Sequence, residues 1–318
     1  MAGSKMERAE IDKVIYWDGH QIVPNRKNLR CNFFKGGGFT MPEPKDIMEP
    51  KNTVRIEKKG QIAYVTLNYP ERLNVVRYAE YQRLVDAVED CRKDDNIRVM
   101  ILTGVGDKVW NAGDDLKEWP GGGKEEGNPH MSLPLIDYFG AFDPLMTMAN
   151  IFREWDKVSI MALNGVCALP ELIYSADFVV AAEHASIAQP ESRLACMPGA
   201  GGTQMLPRLV GRRKALEMLL LGDYITAQEA YRVGLVNQVV PLSQLMPAAE
   251  AIAQKILKIS PLSVKFIKKA VQRAQDLPYQ WGQEIEWLYF TLLLGTQDCK
   301  EAIKSYVEHK PMPPFKKG

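Results

Sequence analysis

The sequence predicts an α/β fold: strands alternate with helices through a core, and a helical part follows it. Three observations carry this. RVMILTGVG and KVSIMALNG are continuous apolar runs of strand length, the pattern of strands buried on both faces. YAEYQRLVDAVEDCRKD places Tyr81, Leu84, Val85 and Val88 at helical spacing and ends in charge. Beyond Pro198 the apolar spacing turns helical.

Taken in order, residues 1–52 form an extended arm rich in Gly, Pro and turn residues. Trp17, Phe33, Phe34 and Phe39 argue that it packs on something. The core spans 53–245. VRIEKKGQIAYVTLN reads as two strands about a Lys-Gly turn, followed by the Tyr81 helix and the two buried strands. ADFVVAAEHASIA supplies two more short strands. GGTQMLPRLVGRRKALEMLLLG and TAQEAYRVG then read as helices. Residues 246–318 are a helical region opened by PAAEAIAQKILKIS and PLSVKFIKKAVQRAQDL. No repeat of fixed period runs through the chain.

Composition excludes several classes. The 318 residues are 46% hydrophobic and 25% charged, which is ordinary for a globular chain. A net charge of +1 gives no electrostatic reason to expect nucleic acid or an anionic membrane. No apolar run reaches the roughly 18 residues of a membrane span. The five cysteines are scattered without a CxxC, which reads as reduced thiols in the cytoplasm. Four histidines without ligand spacing argue against a metal site.

Five short stretches hold candidate chemistry, and each taken singly has an ordinary structural explanation. In VWNAGDDLKEW, Gly113 permits a sharp turn and Asp115–Glu118 read as a helix start, where outward N–H groups can stabilise an oxyanion. In NGVCALPELIYSAD, Pro170 suits a first helical position and leaves Glu171 in the first turn. Glu191 follows a proline in AQPES. PGAGGTQ is a Gly-rich helix opening, but neither GxxxxGK[ST] nor GxGxxG is present, so a nucleotide loop is not supported. In NYPERLNVVR, Arg72 or Arg77 could meet a phosphate.

In order, YPERLN, the AGxDLKE turn, NG…EL…AD, AQPE, PGAGGTQMLPRLVG and ALEMLLLGDYITAQEAYRVGLVNQVV resemble the crotonase, or enoyl-CoA hydratase/isomerase, superfamily. The resemblance runs from about Val54 to Glu308. It implies a ββα superhelix with two roughly perpendicular sheets and a C-terminal helical region that supports trimers or hexamers. It implies an acyl-CoA thioester as substrate, with no cofactor beyond the coenzyme A that the substrate carries. Two glutamates flanking a water fall on Glu171 and Glu191, 20 residues apart. Backbone N–H groups of Asp114 and Ala168 fall at the oxyanion hole, and Gly199 at the water-positioning turn. Contacts to CoA and substrate fall on Arg72, Leu73, Ala112, Gly113 and Leu116. Two carboxylates sharing a site hold one of them protonated, so one serves as acid while the other serves as base. The predicted activity is therefore addition or removal of water across an α,β-unsaturated acyl-CoA, in fatty acid or aromatic acid metabolism.

Two departures qualify the resemblance. The route from Gly165 to Glu171 is two residues shorter than the family's Gly-rich loop and contains no glycine. A similar short loop occurs in the β-diketone hydrolase branch, which cleaves C–C bonds by a retro-Claisen route. That branch has a histidine at the position of Glu191 and an aspartate at that of Ala200, and this chain has neither. A hydrolase of that type and a non-catalytic family member stand as alternatives. The second departure is the long segment 120–152. It carries His130, Phe139, Phe142 and Met146 where the family lines its acyl pocket, which suggests a bulky or cyclic acyl group.

Overall fold

The computed structural model describes Ile15–Trp17, Ile22–Pro24, residues 52–118, Thr147 and residues 150–315. The chain divides into two compact units, Met1–Pro50 and Lys51–Gly318. Within the first, β1 (Ile15–Trp17) pairs antiparallel with β2 (Ile22–Pro24). The rest of the expected arm, and nearly all of segment 119–149 with His130, Phe139, Phe142 and Met146, lie outside the described residues.

The second unit holds two sheets. The larger has the order β12-β9-β7-β5-β4-β3, built from β3 (Val54–Lys59), β4 (Ile62–Leu67), β5 (Val99–Gly104), β7 (Val158–Leu163), β9 (Phe178–Ala182) and β12 (Gln238–Val240). All its pairs are parallel except the β3–β4 hairpin. The smaller has the order β11-β10-β8-β6, from β6 (Val109–Asn111), β8 (Val166–Cys167), β10 (Ser186–Ile187) and β11 (Ile225–Thr226). Thus β5 leads to β6, β7 to β8 and β9 to β10. Each turn of the chain lays one strand in the large sheet and one in the small, parallel to those of the turn before.

Side-chain alternation explains why the central strands read as unbroken apolar runs. Met100, Leu102, Met161 and Leu163 enter a core shared with the small sheet. Val99, Ile101, Val158, Ile160 and Ala162 face the opposite way, onto Leu245, Ala249 and Ala253 of helix α6 (Leu245–Leu257). Both faces are covered, so neither can be polar. Helix α1 (Tyr78–Lys93) buries Tyr81, Leu84, Val88 and Cys91 on one stripe. Each such aliphatic burial stabilises by roughly 1.5–3 kcal/mol.

Helix α2 (Glu171–Tyr174) is a single turn. The single helical run expected after Pro198 is two helices, α3 (Gly202–Val210) and α4 (Arg212–Leu221), parted at Gly211 in a non-helical conformation. Next come α5 (Ala227–Arg232), α6, α7 (Pro261–Asp276), α8 (Tyr279–Leu294) and α9 (Gln297–Val307). No residue of α7, α8 or α9 is fully buried. Among the described residues no helix is long and apolar enough to cross a membrane.

Candidate active site

Three consecutive strands of the small sheet deliver the three expected site segments to one edge. Strand β6 ends at Asn111 and runs into the turn 112–116. Strand β8 ends at Cys167 and runs into Ala168–Glu171. Strand β10 ends at Ile187 and runs into Gln189–Glu191. With β8 in the middle, Glu171 has the Asp114 turn on one side and Glu191 on the other. The carboxyl ends of parallel strands are where α/β folds place ligands.

The two glutamates converge. The amide nitrogen Nε2 of Gln189 donates to Oε1 of Glu171 and, at 3.0 Å, to Oε1 of Glu191. Those oxygens are therefore no more than about 6 Å apart, two hydrogen-bond lengths. Gln189 is fully buried and is itself held by the Tyr174 hydroxyl, which donates to its Oε1 at 2.8 Å. Oε2 of Glu171 and Oε2 of Glu191 are both buried without a hydrogen-bond partner among the described residues. Buried carboxylate oxygens of this kind need a donor, and a water between the two would supply one to each.

Glu171 is 4% exposed. Burial pushes its carboxyl up to about 8, with the Glu191 charge adding and the Asp114 charge adding less. The opening position of α2 after Pro170 fixes the side chain: proline begins the turn and Glu171 is its first residue. Glu191 opens a 3₁₀ turn, Glu191–Leu194, in the same manner after Pro190.

The Asp114 turn lies against this pair. Gly113 has φ +96°, and a methyl group added there would meet the Ala168 carbonyl at 3.3 Å, so glycine lets the two turns approach. Tyr81 donates its hydroxyl to Oδ1 of Asp114. Burial first, then the charges of Asp114, Glu171 and Glu191, raise the Tyr81 phenol well above its ordinary value, so it stays a proton donor.

The expectation for Ala168 is corrected. Its N–H donates to the Asn111 carbonyl at 2.9 Å and extends the ladder between β6 and β8. The short route from Gly165 leaves the third residue before Glu171 still inside that ladder. Pro170 has no N–H, and the Glu171 N–H supports its own carboxylate. The Leu169 N–H lies near the sulfur of Cys167, a buried cysteine that burial keeps in its thiol form.

Residues expected to contact CoA are brought together. The Ala112 N–H donates to Leu73 O at 3.1 Å, and the Val76 N–H to Gly113 O at 2.9 Å. Arg72 Nη1 reaches Asp115 Oδ2 at 3.2 Å while the arginine stays 41% exposed. Leu73 and Leu116 are both exposed beside it. Arg77, the other candidate cation, is buried and pairs with Glu80 at 2.7 Å through two nitrogens, so it does not face solvent. Gly199 has open space around it. The tightly packed glycine of that turn is Gly202, where a methyl would meet Pro198 Cβ at 2.7 Å and the Gln189 amide at 3.0 Å. Among the described residues no three His, Cys, Asp or Glu side chains form a cluster able to hold a metal.

Sequence reasoning missed Gln189, Tyr174 and Tyr81 as parts of the site. The AQPE motif contained Gln189, and the rule that buried carboxylates require donors could have found it.

The profile of the enoyl-CoA hydratase/isomerase family matches residues 57–318. The chain belongs to that family. It is 34% identical over 260 residues to a probable mitochondrial enoyl-CoA hydratase of Dictyostelium discoideum, covering 81% of this chain and 89% of that one. It is 33% identical over 259 residues to the (E)-benzylidenesuccinyl-CoA hydratase of Thauera aromatica, covering 81% and 96%. The crystal structure of enoyl-CoA hydratase from Bacillus anthracis superposes with a TM-score of 0.75 at 30% identity, covering 84% of this chain and all of that one. As an enoyl-CoA hydratase/isomerase family member, the chain has the two-sheet architecture and the C-terminal helices expected of the fold.

Proposed function

We propose that the protein is a hydro-lyase that adds water to, or removes it from, the double bond of an α,β-unsaturated acyl-CoA. One observation carries the reading: the buried Glu171 and the half-buried Glu191 share one amide donor, and each keeps a buried oxygen without a partner among the described residues. Between them the pair holds one proton at neutral pH, because burial and mutual repulsion oppose two charges.

In hydration, which starts from the form of the pair whose one proton sits on Glu191, the Glu171 carboxylate takes a proton from water as the oxygen bonds to Cβ. The π electrons move toward the thioester oxygen, and Glu191 gives its proton to Cα. The pair begins and ends with one proton. In dehydration Glu191 removes the α-proton and protonated Glu171 gives its proton to the departing hydroxide. The Asp114 N–H serves the thioester oxygen as one donor. The Leu169 N–H serves as the second in place of Ala168, since a neutral thiol is a weak acceptor that an oxygen gathering negative charge displaces. Gly199 lines the water side. Arg72, Leu73, Ala112, Gly113 and Leu116 take the CoA moiety, with the exposed Arg72 toward phosphate. This acid–base chemistry calls for no metal or redox group.

The acyl group is bulky or cyclic in our reading. The Thauera aromatica relative, which by its name acts on a benzylidenesuccinyl thioester, supports it. The exposed apolar residues of α8 support assembly of the chain with copies of itself as a homotrimer or homohexamer. Four cysteines without disulfides, Cys91, Cys167, Cys196 and Cys299, support a reducing compartment such as the cytoplasm.

The test is loss of conjugated-thioester absorbance with crotonyl-CoA and with a cyclic enoyl-CoA. Turnover falls by about 10²–10⁴-fold in Glu171→Gln and in Glu191→Gln. Variants as active as the parent refute the acid–base assignment. CoA-independent cleavage of a cyclic β-diketone would replace the lyase by a hydrolase.

A further inference from the structure

The AGDD stretch places a carboxylate on the residue whose N–H is proposed to meet the thioester oxygen. An acid there opposes the negative charge that gathers on that oxygen, because like charges in a water-poor site repel strongly. Something must control where the Asp114 carboxylate lies, and the structure holds it by two independent contacts from one short segment.

The first contact is through the backbone. Val76 and Asp114 form a parallel bridge: the Val76 N–H donates to Gly113 O at 2.9 Å and the Asp115 N–H to Val76 O at 3.1 Å. In that pattern the bridged residue's own N–H points away from its partner strand. The second contact comes five residues later, where the Tyr81 hydroxyl donates to Oδ1 of Asp114. The Tyr81 ring is 6% exposed and sits one turn into α1. That turn is locked by Arg77 on Glu80 and by Arg83, whose Nη1 reaches Glu80 Oε1 at 2.9 Å and Thr53 Oγ1 at 2.8 Å. The segment from Val76 to Tyr81 thus grips the backbone and the side chain of Asp114 at once.

We propose that Tyr81 is a positioning residue that holds the Asp114 carboxylate off the thioester oxygen, leaving the Asp114 N–H directed at the developing oxyanion. The proposal rests on the acyl-CoA reading of the site. A phenylalanine at 81 keeps the shape and packing and removes only the donor, so Tyr81→Phe isolates the hydroxyl.

The experiment compares the parent, Tyr81→Phe, Asp114→Ala and the double variant with crotonyl-CoA. Tyr81→Phe lowers kcat by about tenfold while KM stays within about threefold, as expected when transition-state stabilisation alone is lost. In the Asp114→Ala background the same change alters kcat by less than about twofold, because the carboxylate it controls is gone. An equal loss in both backgrounds, or a rise confined to KM, overturns the proposal. A second readout separates it from the hydratase reading: the absorbance of the enolate of acetoacetyl-CoA bound to each variant. The band weakens in Tyr81→Phe only when Asp114 is present. If the parent turns over no enoyl-CoA but shows this pattern, the hydratase reading falls and the role of Tyr81 stands. If the parent forms no enolate band, the role of Tyr81 falls.

Discussion

Glu171 and Glu191 accept hydrogen bonds from one nitrogen, Nε2 of Gln189, and the far side of that amide is pinned by the Tyr174 hydroxyl. A single amide thereby sets the separation of both carboxylates, and Gly202 packs against its other face with no room for a methyl group. Glu171 and Glu191 come from different turns of the superhelix, so their spacing depends on this cross-link.

Gln189→Leu keeps the volume and removes the donor. Two carboxylate oxygens then lose their hydrogen bond, and the spacing between the two carboxyls is no longer enforced. The expected outcome is a fall in kcat of about 10–100-fold with smaller change in KM, measured with crotonyl-CoA. Tyr174→Phe acts on the amide indirectly and should cost less than Gln189→Leu. A larger loss in Tyr174→Phe would show that the amide is not the controlling element.

The pH profile follows from the Glu171 carboxyl. Its value is raised to about 8 by burial first and by the Glu191 charge second. Below that pH the Glu171 carboxyl keeps its proton; above it that proton is lost and the acid is missing. The basic limb of kcat/KM should therefore bend near pH 8 and fall about tenfold per unit beyond it. A profile flat to pH 10 would show that no raised carboxyl takes part.

The same shift predicts stability. A carboxyl that binds its proton more tightly folded than unfolded makes stability fall as pH rises, between the unfolded value of 4.5 and about 8. The slope approaches about 1.4 kcal/mol per pH unit within that window and vanishes above it. Glu171→Gln removes the titration. Its Tm should exceed the parent's at pH 8–9, and the gap should close on acidification toward pH 4.5. The variant is inactive yet more stable, a combination that a misfolded protein cannot produce.

Much of this was legible in the sequence because the central strands of the large sheet, β5 and β7, are six-residue apolar runs that end at or near a glycine. The Glu171 and Glu191 pair was legible from its motifs. The strands of the small sheet were not. At two or three residues each, β6, β8, β10 and β11 carry too few positions for a period, and their pairing is decided by the large-sheet strand that precedes them. The Ala168 assignment failed for that reason. Counting back from Glu171 gave a loop residue, while the short strand β8 carries its ladder one residue further, to the Ala168 N–H on Asn111. In the same way, the tightest steric demand of the PGAGG turn falls on Gly202, which only the position of Gln189 reveals.

Helix α8 sets the last prediction. Trp281 is 65% exposed, Trp287 69% and Phe290 49%, with Leu288, Leu292 and Leu294 also exposed on the same helix. Trp287 and Phe290 lie with ring centroids 5.6 Å apart, so they form a continuous apolar surface. Each aromatic side chain can remove about 150–250 Å² from water when covered, at roughly 25 cal/mol per Å². A surface this apolar on a monomer would drive association by itself. The parent should sediment as a multiple of the 35.8 kDa chain. Trp287→Glu combined with Phe290→Glu should place charges in the contact and shift the mass toward a single chain, with the far-UV spectrum retained. Covering charged groups that lack partners costs several kcal/mol per contact, enough to dissociate the assembly at micromolar concentration. A parent that sediments as a single chain at every concentration would rule out α8 as a self-association surface.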